Sequence, residues 1–202
     1  MTTDLPERLG LRERKKLRAM QQIQWAALDL FDQHGYDAVT IERIAAAAEV
    51  SPSSVYRYFG TKERLILHDE YDPALLREME IELDEHDFMT AVRRALASTM
   101  QTLVQGDHEF NQRRMRYVVH EPAVRARMQQ DMDEMNAVIA EMLARHTGHD
   151  PADLEIRVAV GALVSSFVAA VYYWVDHPEL ALSDVVEQTL DLIEQGFDLR
   201  SI

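Results

Sequence analysis

Apolar residues recur every three or four positions along almost the whole chain, and no alternating stretch of useful strand length interrupts them. From about Leu11 to His34, the positions Leu17, Met20, Ile23, Ala27, Leu30 and Phe31 form one stripe. That stripe predicts a long helix, stopped by Gly35. Thr40 opens a short helix from Ile41 to Ala48. Ser51 with Pro52 opens another, because serine caps free amides well and proline is tolerated in a first turn. Thr61 caps a fourth helix running toward Tyr71, and Pro73 forces a break or kink. Further helices are predicted near 73–85, 88–105, 108–120, 122–146, 151–176 and 183–197. Gly106, Pro122, the run Gly148 to Pro151, and His177-Pro178 mark the joints. The pattern therefore predicts an all-α fold, with an N-terminal three-helix head over residues 8–62 fused to a C-terminal helical bundle over 63–202.

Within the head, the segment from Thr40 to Leu65 carries the chemistry. Two helices of about two turns, joined by three or four residues, make a helix-turn-helix. Ala45 supplies the small residue where the helices touch, and Val50 the apolar residue in the turn. Ile41, Ile44, Val55 and Phe59 complete a seam against the first helix. The leading edge of the second helix is polar and short-armed: Ser51, Ser53, Ser54 and Arg57. Small hydroxyl residues let a backbone approach DNA and bond phosphates or base edges. Tyr56 and Tyr58 add flat rings with hydroxyl tips. Lys62, at the start of the next helix, adds a charge that can seat on a phosphate.

Charge sharpens this picture. The net charge is −14, but residues 1–68 hold 10 basic and 9 acidic side chains, a net of +1, against 11 and 26, a net of −15, over 69–202. A polyanion is thus expected to dock on the N-terminal third and be repelled elsewhere. Arg8, Arg12, Arg14, Lys15, Lys16 and Arg18 face only Glu13, and Lys15 and Lys16 join the candidate DNA contacts. The absence of cysteine excludes disulfides and thiolate metal sites and suits a reducing cytoplasm. No secretory signal is read at the N-terminus. Val158 to Val175 carries no formal charge over 18 positions, yet contains Gly161, Ser165 and Ser166, ends at Asp176 and lacks basic flanks. A buried core or dimer helix is expected there, with no membrane partner.

The motif residues resemble those of the TetR family of regulators: Thr40, Ile44-Ala45, Glu49-Val50-Ser51, Tyr56, Tyr58-Phe59, Thr61-Lys62-Glu63 and Leu65, preceded by a long helix ending LFDQHGYDAVT. This motif-level resemblance covers residues 14–68. Glu49 stands where the family usually has glycine. A left-handed conformation there costs a non-glycine residue roughly 1 kcal/mol, and its negative charge keeps it off the contact list.

The resemblance implies a cytoplasmic homodimer on double-stranded operator DNA, with the last two helices, here 151–176 and 183–197, forming a four-helix interface. Gly161, Ser165 and Ala169 place small residues four apart for that seam. Another face of the same helix carries Val160, Leu163, Phe167, Val171 and Trp174, the candidate wall of a small-molecule pocket. Met100, Leu103, Phe110, Met115, Tyr117, Met135, Ile139 and Met142 are candidate linings from other helices, methionine giving a compliant surface for an apolar effector. The implied function is a ligand-responsive DNA-binding regulator, more readily a repressor than an activator. Its rivals are a ligand-independent DNA-binding protein with a closed core, and a helical carrier or enzyme with an incidental motif. Pairs such as His68-Asp69, His108-Glu109 and His120-Glu121 look metal-like in isolation. None has the i, i+4 histidines flanking a glutamate that a helical zinc site requires. No phosphate loop or nucleophile elbow occurs, so no metal, cofactor or catalytic residue is expected.

Overall fold

The computed structural model describes residues 10–68, 72–104 and 108–196, without the side chains of Glu13, Asp72, Pro73, His108 and residues 99–104. Its helices are α1 (Leu11–His34), α2 (Ile41–Ala47), α3 (Pro52–Phe59), α4 (Lys62–Leu67), α5 (Asp72–Leu83), α6 (Phe88–Val104), α7 (His108–His120), α8 (Pro122–Thr147), α9 (Leu154–Asp176) and α10 (Leu182–Gln195). No strand occurs among the described residues. The fold is all-α, as the 3.6-residue spacing requires.

Several helix ends shift by one to four residues from their expected places, and two of the shifts have a visible cause. The fourth helix stops at Leu67, because His68 leaves the helical region at ψ 117°. Its expected continuation to Tyr71 lies outside the described residues. The ninth helix begins at Leu154 instead of residue 151. Asp150 Oδ1 accepts from the Ala152 amide at 2.8 Å, and Asp153 Oδ2 accepts from the Asp150 amide at 3.0 Å. These carboxylates hold a turn by bonding local amides that a helix would otherwise use.

The chain forms two compact units. Among the described residues, the first joins 10–68 with 108–127, so α4 and α7 pack with α1–α3. The second contains α5, α6, α8 from Met128 onward, α9 and α10. This division differs from a single cut near residue 62. Its physical reason lies in α7: Phe110 packs at a tilt on Trp25 of α1 with ring centroids 5.0 Å apart, and Arg113 pairs with Asp29 at 2.7 Å and Asp32 at 2.8 Å. The first core is built on Ile23, Phe31, Ile44, Val55 and Leu65, all essentially fully buried. The second gathers Met79, Val92, Leu96, Leu143, Val160 and Leu190.

Candidate functional site

The turn between α2 and α3 has a defined geometry. The Val50 amide donates to the Ala45 carbonyl at 2.9 Å and the Glu49 amide to Ala46 at 3.2 Å. That 6→1 and 5→2 pairing is a Schellman closure, which needs a left-handed residue after the helix cap. Glu49 takes that position with φ 54°, the one non-glycine with positive φ among the described residues. Ala45, Ile44, Val55 and Phe59 are buried and Val50 is half-buried, so the apolar seam fixes how α3 leaves the turn.

Three threonine and serine caps then set the helix starts. The Arg43, Ser54 and Arg64 amides donate to Thr40, Ser51 and Thr61 at 3.2–3.3 Å. Such a cap satisfies an orphan amide and stabilises a helix by about 1 kcal/mol. Thr40 and Ser51 thus serve the fold while remaining exposed.

On α3, Ser53, Tyr56 and Arg57 are exposed, and Ser54 and Tyr58 half-exposed. Ser51 Oγ lies 2.8 Å from Ser53 Oγ and 2.9 Å from Ser54 Oγ. Arg57 donates to the Tyr58 hydroxyl at 3.2 Å, with its guanidinium 4.9 Å from that ring. The Tyr56 hydroxyl donates to Glu42 at 3.3 Å, and that carboxylate holds the Tyr56 pKa up. The Glu42 carboxyl is itself held below the usual range by its own backbone amide and by Thr40. Lys15 and Lys16 are exposed in the first turns of α1. The structure therefore gathers hydroxyls, an arginine and two tyrosines on one outward face.

Lys62 departs from its expected role. Its Nζ donates inward to the Tyr36 carbonyl at 2.8 Å and the Val39 carbonyl at 3.2 Å, and lies 3.9 Å from the centre of the Tyr36 ring. The ammonium pins the α1–α2 connection, where it is already satisfied, instead of projecting toward a phosphate. Beside it the Tyr36 hydroxyl donates to Glu63 at 3.0 Å, and burial followed by that carboxylate raises the Tyr36 pKa.

Two buried polar residues escaped the sequence reading. Gln24 on α1 donates to the carbonyls of Leu65 at 2.9 Å and His68 at 3.1 Å. Arg114 on α7 donates to Ile66 at 3.4 Å and His68 at 3.1 Å. Together they occupy the carbonyls at the C-terminal end of α4, which a helix leaves without partners, and the arginine's charge favours that negative pole. Gln24 was findable: it sits on the buried α1 stripe between Ile23 and Ala27, where an amide must serve something. Arg114 carried a weaker signal, because an arginine on a helix ordinarily carries its charge to solvent.

The second unit holds a partly open cavity of about 150 Å³. Leu75, Leu76 and Met79 line it from α5, Val92 and Leu96 from α6, Met135 and Ile139 from α8. Leu163, Val164, Phe167 and Ala170 line it from α9, and Val186, Thr189, Leu190 and Ile193 from α10. Of the expected lining, Phe167, Leu163, Met135 and Ile139 are here. Trp174 is not: its indole nitrogen donates to the Leu180 carbonyl at 3.0 Å, and the ring closes the α9–α10 connection. Val171 is half-buried and does not line the cavity, Val160 and Met142 are buried in the core without lining it, and Phe110, Met115 and Tyr117 sit on α7 in the first unit. Tyr117 donates to Asp32 at 2.6 Å. The side chains of Met100 and Leu103 lie outside the described residues.

The face of α9 away from the cavity is uncovered in the single chain. Val158, Ala162, Ser165, Ala169 and Tyr173 are exposed at helical spacing, and Gly161 is half-exposed with open space where a Cβ would stand. The helix is long and apolar enough to cross a membrane, and only 22% of its most apolar window is buried. Among the described residues, no group of three His, Asp or Glu could hold a metal ion.

A helix-turn-helix head presenting α3, followed in one chain by an all-helical bundle with an apolar cavity, defines the class: a DNA-binding transcriptional regulator. Comparison with known proteins gives the family. The model described as bacterial regulatory proteins, tetR family, matches residues 24–68, and the MftR C-terminal domain model matches 86–198. The HTH-type transcriptional regulator TcmR of Streptomyces glaucescens is 31% identical, covering 94% of this chain and 89% of its own. FadR of Thermus thermophilus, a TetR family repressor solved with lauroyl-CoA, superposes with a TM-score of 0.54 at 22% identity, over 90% of this chain and 96% of its own. FadR of Bacillus halodurans, a fatty acid degradation regulator, reaches 0.60 at 20% identity, over 89% and 96%. The chain belongs to the TetR family of transcriptional regulators.

Proposed function

We propose that the protein is a cytoplasmic, homodimeric repressor that leaves a pseudo-palindromic operator when a small, largely apolar molecule enters the second unit. The observation that carries the DNA-reading part is the outward face of α3. Ser51, Ser53, Ser54, Tyr56, Arg57 and Tyr58 form the contact set, with Thr40 at the start of α2 and Lys15 and Lys16 flanking it on α1. Lys62 is left out, since its donors serve backbone carbonyls.

The uncovered α9 stripe supports a second copy as its cover, with Gly161, Ser165 and Ala169 allowing close approach. Replacing Ser165 with arginine should then leave a charge buried at the seam and give monomer in sedimentation. In such a dimer the recognition helices stand about one turn of DNA apart, roughly 34–36 Å. The cavity favours an effector-responsive protein over a closed-core DNA binder. Lauroyl-CoA in Thermus thermophilus FadR illustrates one apolar-chain ligand on this fold.

The test is selection of bound duplexes from a random pool, followed by titration of the Arg57→Ala variant. The expected outcome is a two-fold-related consensus with half-sites about 10 base pairs apart. The variant should lose about 1–3 kcal/mol of binding, or lose about one unit of salt slope if the contact is a phosphate. No enriched sequence, or a variant indistinguishable from wild type, overturns the reading.

A further inference from the structure

The chemical class of the effector follows from the cavity wall, and this inference rests on the cavity being the effector site. Among the described residues, fourteen of the fifteen lining side chains are hydrocarbon or thioether, and none is charged. Thr189 is the exception, and its hydroxyl donates to the Val185 carbonyl at 2.7 Å, so it offers a ligand only a lone pair. Three arginines on the bounding helices are committed to carboxylates. Arg93 of α6 pairs with Glu187, with Asp191 at 2.9 Å and with Glu194 at 2.9 Å on α10, while Arg94 pairs with Glu82 and Arg145 with Glu80.

Such a wall provides no partner for an ion, and an unpartnered ion in an apolar site changes its protonation sooner than enter charged. An apolar cavity of about this size, walled by Leu, Ile and Phe, takes a guest on the scale of benzene. We propose that the effector enters as an uncharged, hydrocarbon-rich group of about one aromatic ring, and that an anion of the same shape is excluded until it is protonated.

Toluene and benzoate make the comparison, differing by a methyl against a carboxylate. A carboxyl with an ordinary pKa near 4 is neutral in about one molecule in 10³ at pH 7. Benzoate should therefore bind about 1000-fold more weakly than toluene, and recover about tenfold for each pH unit lowered. Methionine methyl NMR on the full-length protein reads this directly, because Met79 and Met135 line the cavity while Met20 is buried in the first unit. Toluene should shift Met79 and Met135 saturably and leave Met20 in place. Val164→Phe should fill the space and abolish those shifts. If that variant does not fold, the pH series on the wild type decides alone. Equal binding of benzoate and toluene, or shifts with lauroyl-CoA but none with toluene, overturns the inference and leaves the effector site standing. Silence of both methyls toward all three compounds removes the inference and the effector site together.

Discussion

In the first unit, buried and half-buried polar groups hold helices to one another. Gln24 and Arg114 reach the end of α4, Lys62 reaches the Tyr36 and Val39 carbonyls, and Arg113 bridges to α1. In the second unit the ion pairs lie at half-buried or exposed side chains, such as Arg93 with Glu187 and Arg145 with Glu80, and the interior is apolar and partly empty. The physical consequences differ. A directional polar network tolerates one arrangement, because each broken bond leaves a buried group unsatisfied. A hollow apolar core tolerates several packings, since dispersion and burial carry little direction. A head that must present α3 at one angle suits the first construction, and a chamber that must admit a guest suits the second.

The sharpest way to break this contrast is Arg114→Met. It keeps volume but strands the Ile66 carbonyl and leaves that of His68 to Gln24 alone, with an expected loss of about 1–3 kcal/mol. In urea, the midpoint should fall at unchanged slope. A loss within a few tenths of a kcal/mol would mean that the polar network does not hold α4.

Paired enlargements come next. Ala27→Leu, at a fully buried site in the first unit, should cost about 1–2 kcal/mol by overpacking. Ala170→Leu extends into the cavity and should be neutral within about 0.5 kcal/mol, because the space already exists. Equal penalties would erase the difference between the two cores.

Glu49→Gly should stabilise the head by up to about 1 kcal/mol, since φ 54° suits glycine better than a residue with a Cβ. Thermal unfolding of the variant checks it, and an unchanged or lower midpoint would show that Glu49 is compensated.

The smallest expected effect is a pH dependence in the second unit. His146 Nδ1 bonds the Met142 carbonyl at 2.9 Å and Nε2 faces Asp84 at 3.1 Å. The Met142 bond leads in raising its pKa, desolvation opposes, Asp84 adds to the rise and neighbouring Arg145 opposes it. The raised pKa means that the contribution is fully present below about pH 6.5, the ordinary histidine value. It fades as pH rises through the higher folded value. His146→Gln should flatten the stability slope between pH 6 and 8, and an identical slope would remove His146 from the account.

Much of the head was legible because its determinants are local. Caps at Thr40, Ser51 and Thr61, the small Ala45 and the left-handed turn at Glu49 act within a few residues of where they sit. The face of α3 was legible for the same reason: helical spacing alone separates Val55 and Phe59 from Ser53 and Arg57. The cavity was only partly legible. Phe167 and Trp174 share one helical stripe, yet one lines the space and the other closes the loop after α9. Periodicity tells which residues turn inward but not which inward residue meets a partner.

The sequence by itself determined the helices, most of their ends, the helix-turn-helix and the face α3 shows to solvent, because hydrogen bonds to i−4 carbonyls and side-chain caps are short-range in the chain. Tertiary structure alone decided that Lys62 turns inward, that α7 completes the first unit, that Gln24 and Arg114 share the end of α4, and where the second core stays empty. Each of those joins residues 20 to 100 positions apart or depends on unfilled volume, and neither quantity is written in the spacing of apolar positions along one strand of sequence.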